Sequence, residues 1–486
     1  MLEPNAKTTR RGDSFSRLGR ERTDGEGGKR VRRAGLKVFV VGALLLVISA
    51  AVAGAEINGG SPGGDTISGR DFEVWLVDQS DSFNKTYGGT IHIYEGSDLN
   101  GGDASSATPT DVLDLGDATA DLCVSQTGAN PVRPHMLFFN AANSHAILSF
   151  VASGHVVVFE AATGKPVACV RTSVGDGGQR QAHAATPTPD DRYILVANQN
   201  GKRLDRITTD YATNTFVLDA TLDLATGTTP SGALKQDDGV QQVNVRPDNA
   251  PIVVVPDATG TLAFVTLRGG GLFVVDPTST PIEILAEYDR TTVHASGFGG
   301  IEANGRMYIN SGAGAASTNP SEFDVYRFPL AGYAAANLPN TPAPAMVFSD
   351  DTVPPAHERD AHGLVATKHN RYVWVFDRGL GVAEVIHTAS DAHVNTIALA
   401  HPLSDHPTPD LADIAPSGHR IFVSLRGPNP LSGSPHAATG STPGLGVIKV
   451  RQGGKGGELQ SVVEISNVDA AGVERADPHG IRVRLK

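Results

Sequence analysis

A repeated strand–turn–strand pattern constrains this chain more than any other feature. The stretch AHAATPTPDDRYILVAN, from Ala182 to Asn198, recurs almost in register as AHGLVATKHNRYVWVFD, from Ala361 to Asp377. In both copies an Arg-Tyr pair follows nine residues after the His. Further copies, some of which align only with a shift of one residue, start at Pro134, Pro251, Gly297 and Asp410. Such self-similarity indicates a repeat architecture, in which each copy is one supersecondary unit.

Each copy predicts a β-hairpin at the start of a longer β unit. A Pro-Asp or Asn-Gly type turn separates a short first strand from a β-branched and aromatic run such as Tyr193 to Val196. Further short apolar runs follow, divided by Gly and Asp turns, so that each unit holds about four antiparallel strands. The 55 Gly and 30 Pro residues, with 40% hydrophobic content, suit a turn-rich all-β protein with an ample core.

The two ends of the repeat region complement each other. The segments DFEVWLVDQ, TIHIYEG and TDVLDLG supply three strands at its start, and DPHGIRVR, from Asp477 to Arg484, matches the missing opening strand. We therefore predict an all-β fold over residues 71–486. It is a seven-bladed β-propeller of four-stranded antiparallel blades, whose ring is closed when the C-terminal strand joins the first blade. Blade spacings of 47–69 residues predict long loops at Asp223–Val240, Ser311–Ser321, Asn337–Asp360 and Arg426–Thr442.

Residues 1–55 have the layout of an export signal. A leader rich in Arg and Lys precedes an apolar run from Val38 to Val52, which ends at Ala53-Gly-Ala55. The run is short for a membrane span, although an uncleaved anchor is the alternative interpretation. A Gly/Ser-rich segment, residues 56–70, is predicted to be a flexible linker. The localisation that follows is extracytoplasmic: periplasmic, secreted or at the cell surface, with membrane contact only through an uncleaved N-terminal segment.

The charge balance argues against nucleic acid as a partner. Residues 1–55 contain 11 basic and 5 acidic residues, so without them the formal net charge is −18 rather than −12. Phosphate binding depends on clustered Lys and Arg, which such an acidic chain lacks overall.

The two cysteines, Cys123 and Cys169, leave their pairing open. An oxidising compartment favours a disulfide. Equivalent positions on the outer strands of neighbouring units could nevertheless lie beyond the Cα separation of about 7 Å that a bridge allows.

One position of the repeat gathers residues of metal-ligand type. Taken round the ring from blade six, the residues equivalent to His183 are His362, Asp410, His479, His135 and His183, followed by Ala250 and Gly297. Inner strands line a propeller's channel, so five adjacent blades would place imidazoles and a carboxylate at one height of the channel mouth. This set suits Zn, Cu or Fe better than Mg or Ca, and the predicted cofactor is Zn or Cu. Alternatively, each His could hydrogen-bond a neighbouring blade's backbone, and the small residues opposite would leave space for a substrate.

A second group is expected at the rim of the mouth. Arg268, Arg378 and Arg426 each follow a second strand and precede a Gly, and Asp377 stands beside Arg378. The arginines could hold a carboxylate or phosphate of a small ligand by bidentate hydrogen bonds, or form ion pairs with acidic rim groups. Asp78 and Gln79 share this position in blade one. The loop residues His357 and His436 could complete a site or be solvated.

The His, Pro-Asp turn and Tyr-Ile-Leu-Val-Ala-Asn strand end at Tyr193–Asn198 resemble the YVTN or YncE-like seven-bladed propellers of bacteria and archaea. The stretch from His183 to Ile207 more distantly resembles the seven-bladed lactonases related to 6-phosphogluconolactonase. The first resemblance covers roughly residues 70–486 and mainly implies the fold. The second implies lactone hydrolysis, although that family's catalytic Glu and Arg have no clear match in this chain.

Three functions remain open at this point. The favoured one is an exported propeller that binds a metal ion or small ligand at a mouth lined by His and Asp. A lactonase-like or metal-dependent enzyme is the first alternative. A surface scaffold for another exported protein, bound through the long loops, is the second. No nucleophile elbow, zincin, phosphate-loop or dinucleotide motif is present.

Overall fold

The computed structural model describes residues 71–486 except 84, 225–247, 313–320, 338–340, 353–357 and 434. The predicted leader and linker, most of the predicted loops at Asp223–Val240 and Ser311–Ser321, and His357 therefore lie outside the described residues. No helix within the described ranges has the length and apolar character needed to cross a bilayer.

The strands fall into seven sheets of four. The first half of the chain contributes β1 (Phe72–Asp78), β2 (Thr90–Glu95), β3 (Asp111–Asp114), β4 (Pro134–Phe139), β5 (His145–Phe150), β6 (His155–Glu160), β7 (Lys165–Arg171), β8 (Ala182–Pro187), β9 (Tyr193–Asn198), β10 (Arg203–Asp210) and β11 (Thr215–Asp223). Blades four and five are formed by β12 (Pro251–Pro256), β13 (Ala263–Leu267), β14 (Leu272–Asp276), β15 (Glu283–Tyr288), β16 (Gly299–Ala303), β17 (Arg306–Gly312), β18 (Phe323–Pro329) and β19 (Ala345–Asp350).

The last two full blades and the closing strand complete the ring. They contain β20 (Ala361–Ala366), β21 (Tyr372–Asp377), β22 (Val382–His387), β23 (Ala392–Ala398), β24 (Pro409–Ile414), β25 (Arg420–Leu425), β26 (Gly444–Arg451), β27 (Gly456–Glu464) and β28 (Pro478–Leu485). The described residues also form two helices, α1 (Gly96–Leu99) and α2 (Ala118–Thr127), and 3₁₀ turns at Asp176–Gly178, Ala335–Asn337, Lys368–Asn370 and Gln452–Gly454.

Ring closure follows the prediction. Blade one has the order β28-β1-β2-β3, so the C-terminal strand is its innermost strand. The strands β28 and β1 run antiparallel, with Leu76 opposite Ile481 and Asp78 opposite Pro478. The all-β seven-bladed propeller of four-stranded antiparallel blades is thereby confirmed, and pairing of the first and last strands leaves no open edge at this seam.

Burial decreases from the channel outwards, as the sequence pattern of each strand requires. The inner strands β8, β12, β20 and β24 are buried along their whole length, whereas the outer strand β11 alternates between exposed and half-buried residues. The core lies between the faces of neighbouring blades. At the junction of blades one and two, for example, the rings of Trp75 and Phe139 meet edge to face with centroids 5.3 Å apart.

The two cysteines form a disulfide on blade two, a point that the sequence left open. Cys169 lies in the outer strand β7, but Cys123 lies in α2, which packs on that strand, and the Cα atoms are 5.2 Å apart. The Gln126 side-chain oxygen accepts a hydrogen bond of 2.7 Å from the Cys169 N–H. The expectation of two outer-strand cysteines in neighbouring units is therefore wrong, because a helix carries one of them. The helix ends at Gly128, whose φ of +76° suits a left-handed C-cap.

Candidate ligand and metal site at the channel mouth

The inner strands place the five predicted metal-ligand residues at one level of the channel. Each is the second residue of its strand in blades six, seven, one, two and three, and each is buried: His362, Asp410, His479, His135 and His183. Side chains of the second strands hold the backbone of these residues in place by hydrogen bonds to the next blade. Ser149 Oγ, Asn310 Nδ2 and Ser424 Oγ donate to the carbonyl oxygens of His183, His362 and His479, respectively.

Blades four and five differ from the sequence expectation. Pro251 pairs with Leu267 as Ala361 pairs with Asp377, and both pairings precede an irregularity in the ladder. The residue of blade four that corresponds to His362 is therefore Ile252. In blade five the Phe298 ring lies 4.5 Å from the His362 ring, centroid to centroid. Bulky apolar side chains thus stand where Ala250 and Gly297 were predicted, because the aligned positions were one or two residues out of register.

Three of the five residues form a compact group, which we call the channel cluster: His362, Asp410 and His479. Asp410 Oδ1 lies 3.1 Å from His362 Nε2 and 3.6 Å from His479 Nε2. One donor atom from each residue lies within 4.8 Å of the other two. Asp410 Oδ1 is nevertheless buried without a hydrogen bond of acceptable geometry. Two imidazole nitrogens and one carboxylate oxygen therefore converge with unused acceptor capacity.

The other oxygen of Asp410 is occupied by two arginines. Arg426 Nη1 donates to Asp410 Oδ2 at 2.7 Å, and Arg378 Nη1 donates to the same atom at 3.2 Å. Arg426 also forms a bidentate pair with Asp477, and Arg378 Nε donates to Asp360 Oδ2 at 3.1 Å. This network fixes the carboxylate so that Oδ1 faces the histidines.

The network determines the charge states of its members. Burial opposes ionisation of Asp410, but His362, His479 and the two arginines outweigh it and hold the pKa of Asp410 below its usual range. Burial likewise opposes the charge on Arg426, whereas Asp477 and Asp410 raise the pKa of its guanidinium. Asp360 behaves as Asp410 does, because Arg378 and His362 lower its pKa against the effect of burial. All three groups are therefore charged at neutral pH.

The remaining two histidines form a pair beside the channel cluster. His135 Nε2 lies 3.3 Å from His183 Nε2, and His135 Nδ1 lies 3.0 Å from Gln79 Oε1. Gln79 Oε1 also accepts from Ser432 Oγ, and its amide nitrogen faces Asp477 Oδ2. Because a carboxylate only accepts, this orientation makes His135 Nδ1 the protonated nitrogen and leaves a lone pair on Nε2.

Burial keeps these imidazoles neutral. It lowers the pKa of His135 and His479 well below the usual value. His479 and His183 add to the effect on His135, whereas on His479 the charge of Asp410 opposes burial and Arg426 adds to it. The pKa of His183 is lowered to about 3, first by burial and then by the charge of His362. Neutral imidazoles are the form in which histidine binds a metal ion.

The predicted rim residues divide into two groups. Arg268 and Arg378 line a cavity of about 420 Å³ at the channel mouth, together with His183, Ile252 and Phe298. Arg426 and Asp377 are fully buried below that surface. Asp377 accepts from Arg359 Nε at 2.6 Å and from backbone N–H groups, so it anchors the chain before β20.

The loop of blade seven is anchored at this mouth by hydrogen bonds. Arg426 Nη2 donates to the Ser432 carbonyl at 3.0 Å, and Arg133 Nη1 donates to the Leu431 carbonyl at 2.7 Å. The Leu431 N–H in turn donates to Asp477 at 2.7 Å. This part of the loop helps to form the site. His436, farther along the same loop, is exposed.

Two acidic residues of the site were not predicted. Asp360 and Asp477 each stand two residues before a channel histidine, in Asp-Ala-His362-Gly and Asp-Pro-His479-Gly. The shared Asp-x-His-Gly pattern was available as a signal. The aspartate of this pattern binds an arginine that directly follows a second strand. Asp360 binds Arg378 of the same blade, and Asp477 binds Arg426 of the preceding blade.

A second group of similar composition lies outside the channel cluster, and we call it the His294 cluster: His294, Glu322 and Asp324. His294 Nδ1 lies 2.7 Å from Glu322 Oε1 and 2.8 Å from Asp324 Oδ2. Hydrogen bonds with Asp324 and Glu322 raise the pKa of His294 to about 10. A proton therefore occupies the position between these two carboxylates.

Comparisons with known proteins identify the fold and no family. No protein-family model matches the sequence, and no curated protein matches it significantly. Among solved structures, a hypothetical selenium-binding protein from Sulfolobus tokodaii aligns with a TM-score of 0.57 at 8% identity, covering 88% of this chain and 96% of that chain. The resemblance to YVTN or YncE-like propellers stays a prediction.

Two further neighbours carry lactonase names. The Pseudomonas aeruginosa periplasmic gluconolactonase PpgL aligns with a TM-score of 0.53 at 14% identity, covering 85% of this chain and 99% of its own. A putative 6-phosphogluconolactonase from Bacteroides fragilis aligns with a TM-score of 0.51 at 10% identity, covering 86% of this chain and 99% of its own. At these identities the likeness is one of fold: the chain is similar to seven-bladed β-propellers, including 6-phosphogluconolactonase-like proteins.

Proposed function

We propose that this chain is an extracytoplasmic propeller that binds a transition-metal ion, Zn²⁺ or Cu²⁺, at its channel mouth. His362, Asp410 and His479 would be the ligands. The observation that carries the proposal is the convergence of their donor atoms. Tetrahedral ligands at about 2.1 Å from a zinc ion lie about 3.4 Å from one another. The distances from Asp410 Oδ1 to His362 Nε2 and His479 Nε2, 3.1 and 3.6 Å, lie on either side of that value.

The local charge supports a cation. Three carboxylates, Asp360, Asp410 and Asp477, face two arginines, Arg378 and Arg426. Burying an uncompensated negative charge is costly, and a bound cation would remove the imbalance. A proton on an imidazole could supply the same charge, so the test has to count metal ions directly.

The choice of metal follows from the donors. Imidazole nitrogen with a single carboxylate oxygen suits Zn²⁺ or Cu²⁺, whereas Mg²⁺ and Ca²⁺ prefer sets of oxygen ligands. The lone pair on His135 Nε2 and the ring of His183 add donors beside the cluster, and the hydrogen bond from His135 to Gln79 is of the kind that orients a metal-binding imidazole.

The extracytoplasmic location rests on two features. The sequence of residues 1–55 has the layout of an export signal, and the disulfide between Cys123 and Cys169 is of a kind that persists in oxidising compartments.

Metal analysis of the full chain tests the proposal. After chelation and reloading with Zn²⁺ or Cu²⁺, the wild type should retain one ion per chain by mass spectrometry of the elements. His362→Ala and His479→Ala should each weaken retention at least about 100-fold, because they remove a ligand itself. His387→Ala, on the third strand of blade six, is the matched control. A wild type that reloads with neither ion, or variants that load like it, would contradict the proposal.

Lactone hydrolysis is the second candidate. It rests on the names of two structural neighbours and on a cavity whose volume, about 420 Å³, lies within the range of small-molecule sites. An assay of gluconolactone hydrolysis with wild type and His183→Ala decides it: a rate equal to the uncatalysed one, or an unchanged rate in the variant, excludes catalysis at this mouth.

A further inference from the structure

The cavity at the channel mouth contains two arginines that lack a carboxylate partner. Arg133 and Arg180 both belong to its lining. The guanidinium of Arg133 donates to the backbone carbonyl of Leu431 and forms no ion pair among the described residues, although its charge opposes the rise that burial causes in the pKa of Asp81. Arg180 has neither an ion pair nor a hydrogen bond within the described part of the chain. The charge of Arg180 acts repulsively on Arg171, whose pKa is lowered by burial and by Arg180.

The other charges of the lining already compensate each other. Arg378 is paired with Asp360 and Asp410, and Arg268 Nε donates to Asp248 at 2.6 Å. Asp360 is the one carboxylate among the described lining residues, and Arg378 occupies it. Asp81, which lies outside the lining, interacts with the charge of Arg133. The described lining itself contains four arginines and one carboxylate, in a chain whose formal net charge is −12. A cleft with such a local field attracts anions.

The cavity lining also contains apolar side chains. Ile252 and Phe298 contribute them where blades four and five lack ligand-type residues, and Val151 contributes one from blade two. A ligand that fills this space therefore meets both guanidinium groups and hydrocarbon. The planar fork of Arg matches the geometry of carboxylate and phosphate oxygens.

We propose that the cavity binds a small organic anion. Its carboxylate or phosphate is held by Arg133 and Arg180, and its apolar part packs against Phe298 and Ile252. This site is additional to the proposed metal site and does not require the metal to be bound.

Calorimetric titration of the full chain with four probes tests this assignment. The probes are benzoate, phenyl phosphate, the neutral isostere benzamide, and inorganic phosphate. We expect the two aromatic anions to bind at least about tenfold more tightly than benzamide, because only they can form charge-assisted hydrogen bonds with the arginines. They should also bind more tightly than inorganic phosphate, which has no apolar part. Whichever aromatic anion binds more tightly identifies the head group.

Arg180→Gln and Arg133→Gln should each weaken benzoate binding about tenfold. Arg192→Gln is the matched control, because Arg192 is exposed, lies in the turn before β9 and is not part of the cavity lining. Equal unfolding midpoints of the variants and the wild type establish that they fold. For the wild type alone, benzoate affinity should fall as salt is added.

Three results would overturn the proposal: equal affinities for benzoate and benzamide, no binding of either aromatic anion, or wild-type affinity in both cavity variants. An inorganic phosphate affinity equal to that of phenyl phosphate would exclude the apolar contact. The metal content of every sample is measured in parallel, and the titration is repeated after chelation. Failure of metal binding and failure of anion binding are therefore read independently.

Discussion

The channel cluster and the His294 cluster use the same residue types in opposite proportions. In the channel cluster one carboxylate, Asp410, faces two imidazoles, and arginines occupy its other oxygen. In the His294 cluster two carboxylates converge on a single imidazole nitrogen. The first arrangement leaves the His479 imidazole neutral and a carboxylate oxygen without a hydrogen bond, whereas the second binds a proton and raises the pKa of His294 to about 10.

The difference teaches that the ratio of donors and the position of the arginines decide which cation a His/carboxylate group prefers. Without Arg378 and Arg426, both oxygens of Asp410 would be free to hold protons on the surrounding imidazoles. In their presence, Asp410 Oδ2 accepts hydrogen bonds from the two guanidinium groups, and only Oδ1 faces the histidines. Composition and spacing in the sequence do not distinguish these two situations.

The largest expected effect comes from removing an arginine of the channel network. Arg426→Met leaves Asp410 and Asp477 buried without their main partner, and should lower the free energy of unfolding by about 3–5 kcal/mol. Urea unfolding measures the loss. The exposed Arg192→Met should change the unfolding free energy little. A loss of similar size in both variants would mean that the burial of Arg426 has no special importance.

An intermediate effect is expected from acidification. The pKa of His183 is about 3 in the folded chain and about 6.5 when unfolded, so its contribution to stability is present above pH 6.5 and is lost as the pH falls towards 3. At pH 5 the loss amounts to about 2 kcal/mol relative to pH 8 for this residue. In the metal-free chain, His183→Gln should therefore show a shallower fall in stability between these two pH values. An unchanged slope would refute the low pKa.

The smallest expected effect, with the opposite sign in pH, belongs to His294. Its folded pKa of about 10 lies above the unfolded value, so its contribution is fully present below pH 6.5 and is lost as the pH rises through 10. Because the ring is partly exposed, solvent screening limits this contribution to about 1 kcal/mol. His294→Gln should destabilise the chain at pH 6, with a difference from wild type that shrinks by pH 9. A constant difference would show that the lost contact is not ionic.

The fold was predictable because its signal is repeated. The His, the turn and the Arg-Tyr pair recur along the chain, and Asp477-Pro-His479-Gly matches the opening of the other blades, so that errors in one copy are corrected by the rest. The five ligand-type residues lie on inner strands for the same reason. Each is the second residue of its strand, and its position in the ring follows from the blade count.

The remaining features depend on geometry that spacing does not contain. The pairing of Pro251 with Leu267, which matches that of Ala361 with Asp377, places Ile252 at the position assigned to Ala250. The sequence repeat alone did not determine this register. Arg426 and Arg268 occupy equivalent places in the pattern, yet the first is fully buried and the second lines the cavity, because the acidic partner of each lies at a different depth. The pairing of Cys123 with Cys169 required a helix that the strand repeat did not predict.

The closing strand β28 gives the site a dependence on the whole chain. His479 is its second residue and Asp477 directly precedes it, while β1, its partner, lies about 400 positions earlier in the sequence. The three donors of the channel cluster therefore come together only after the ring has joined. Any ion or ligand that is bound through His479 binds the closed ring and not the open one. By mass action it therefore stabilises the pairing of β28 with β1. An ion bound at the proposed site would therefore report that the propeller has been assembled.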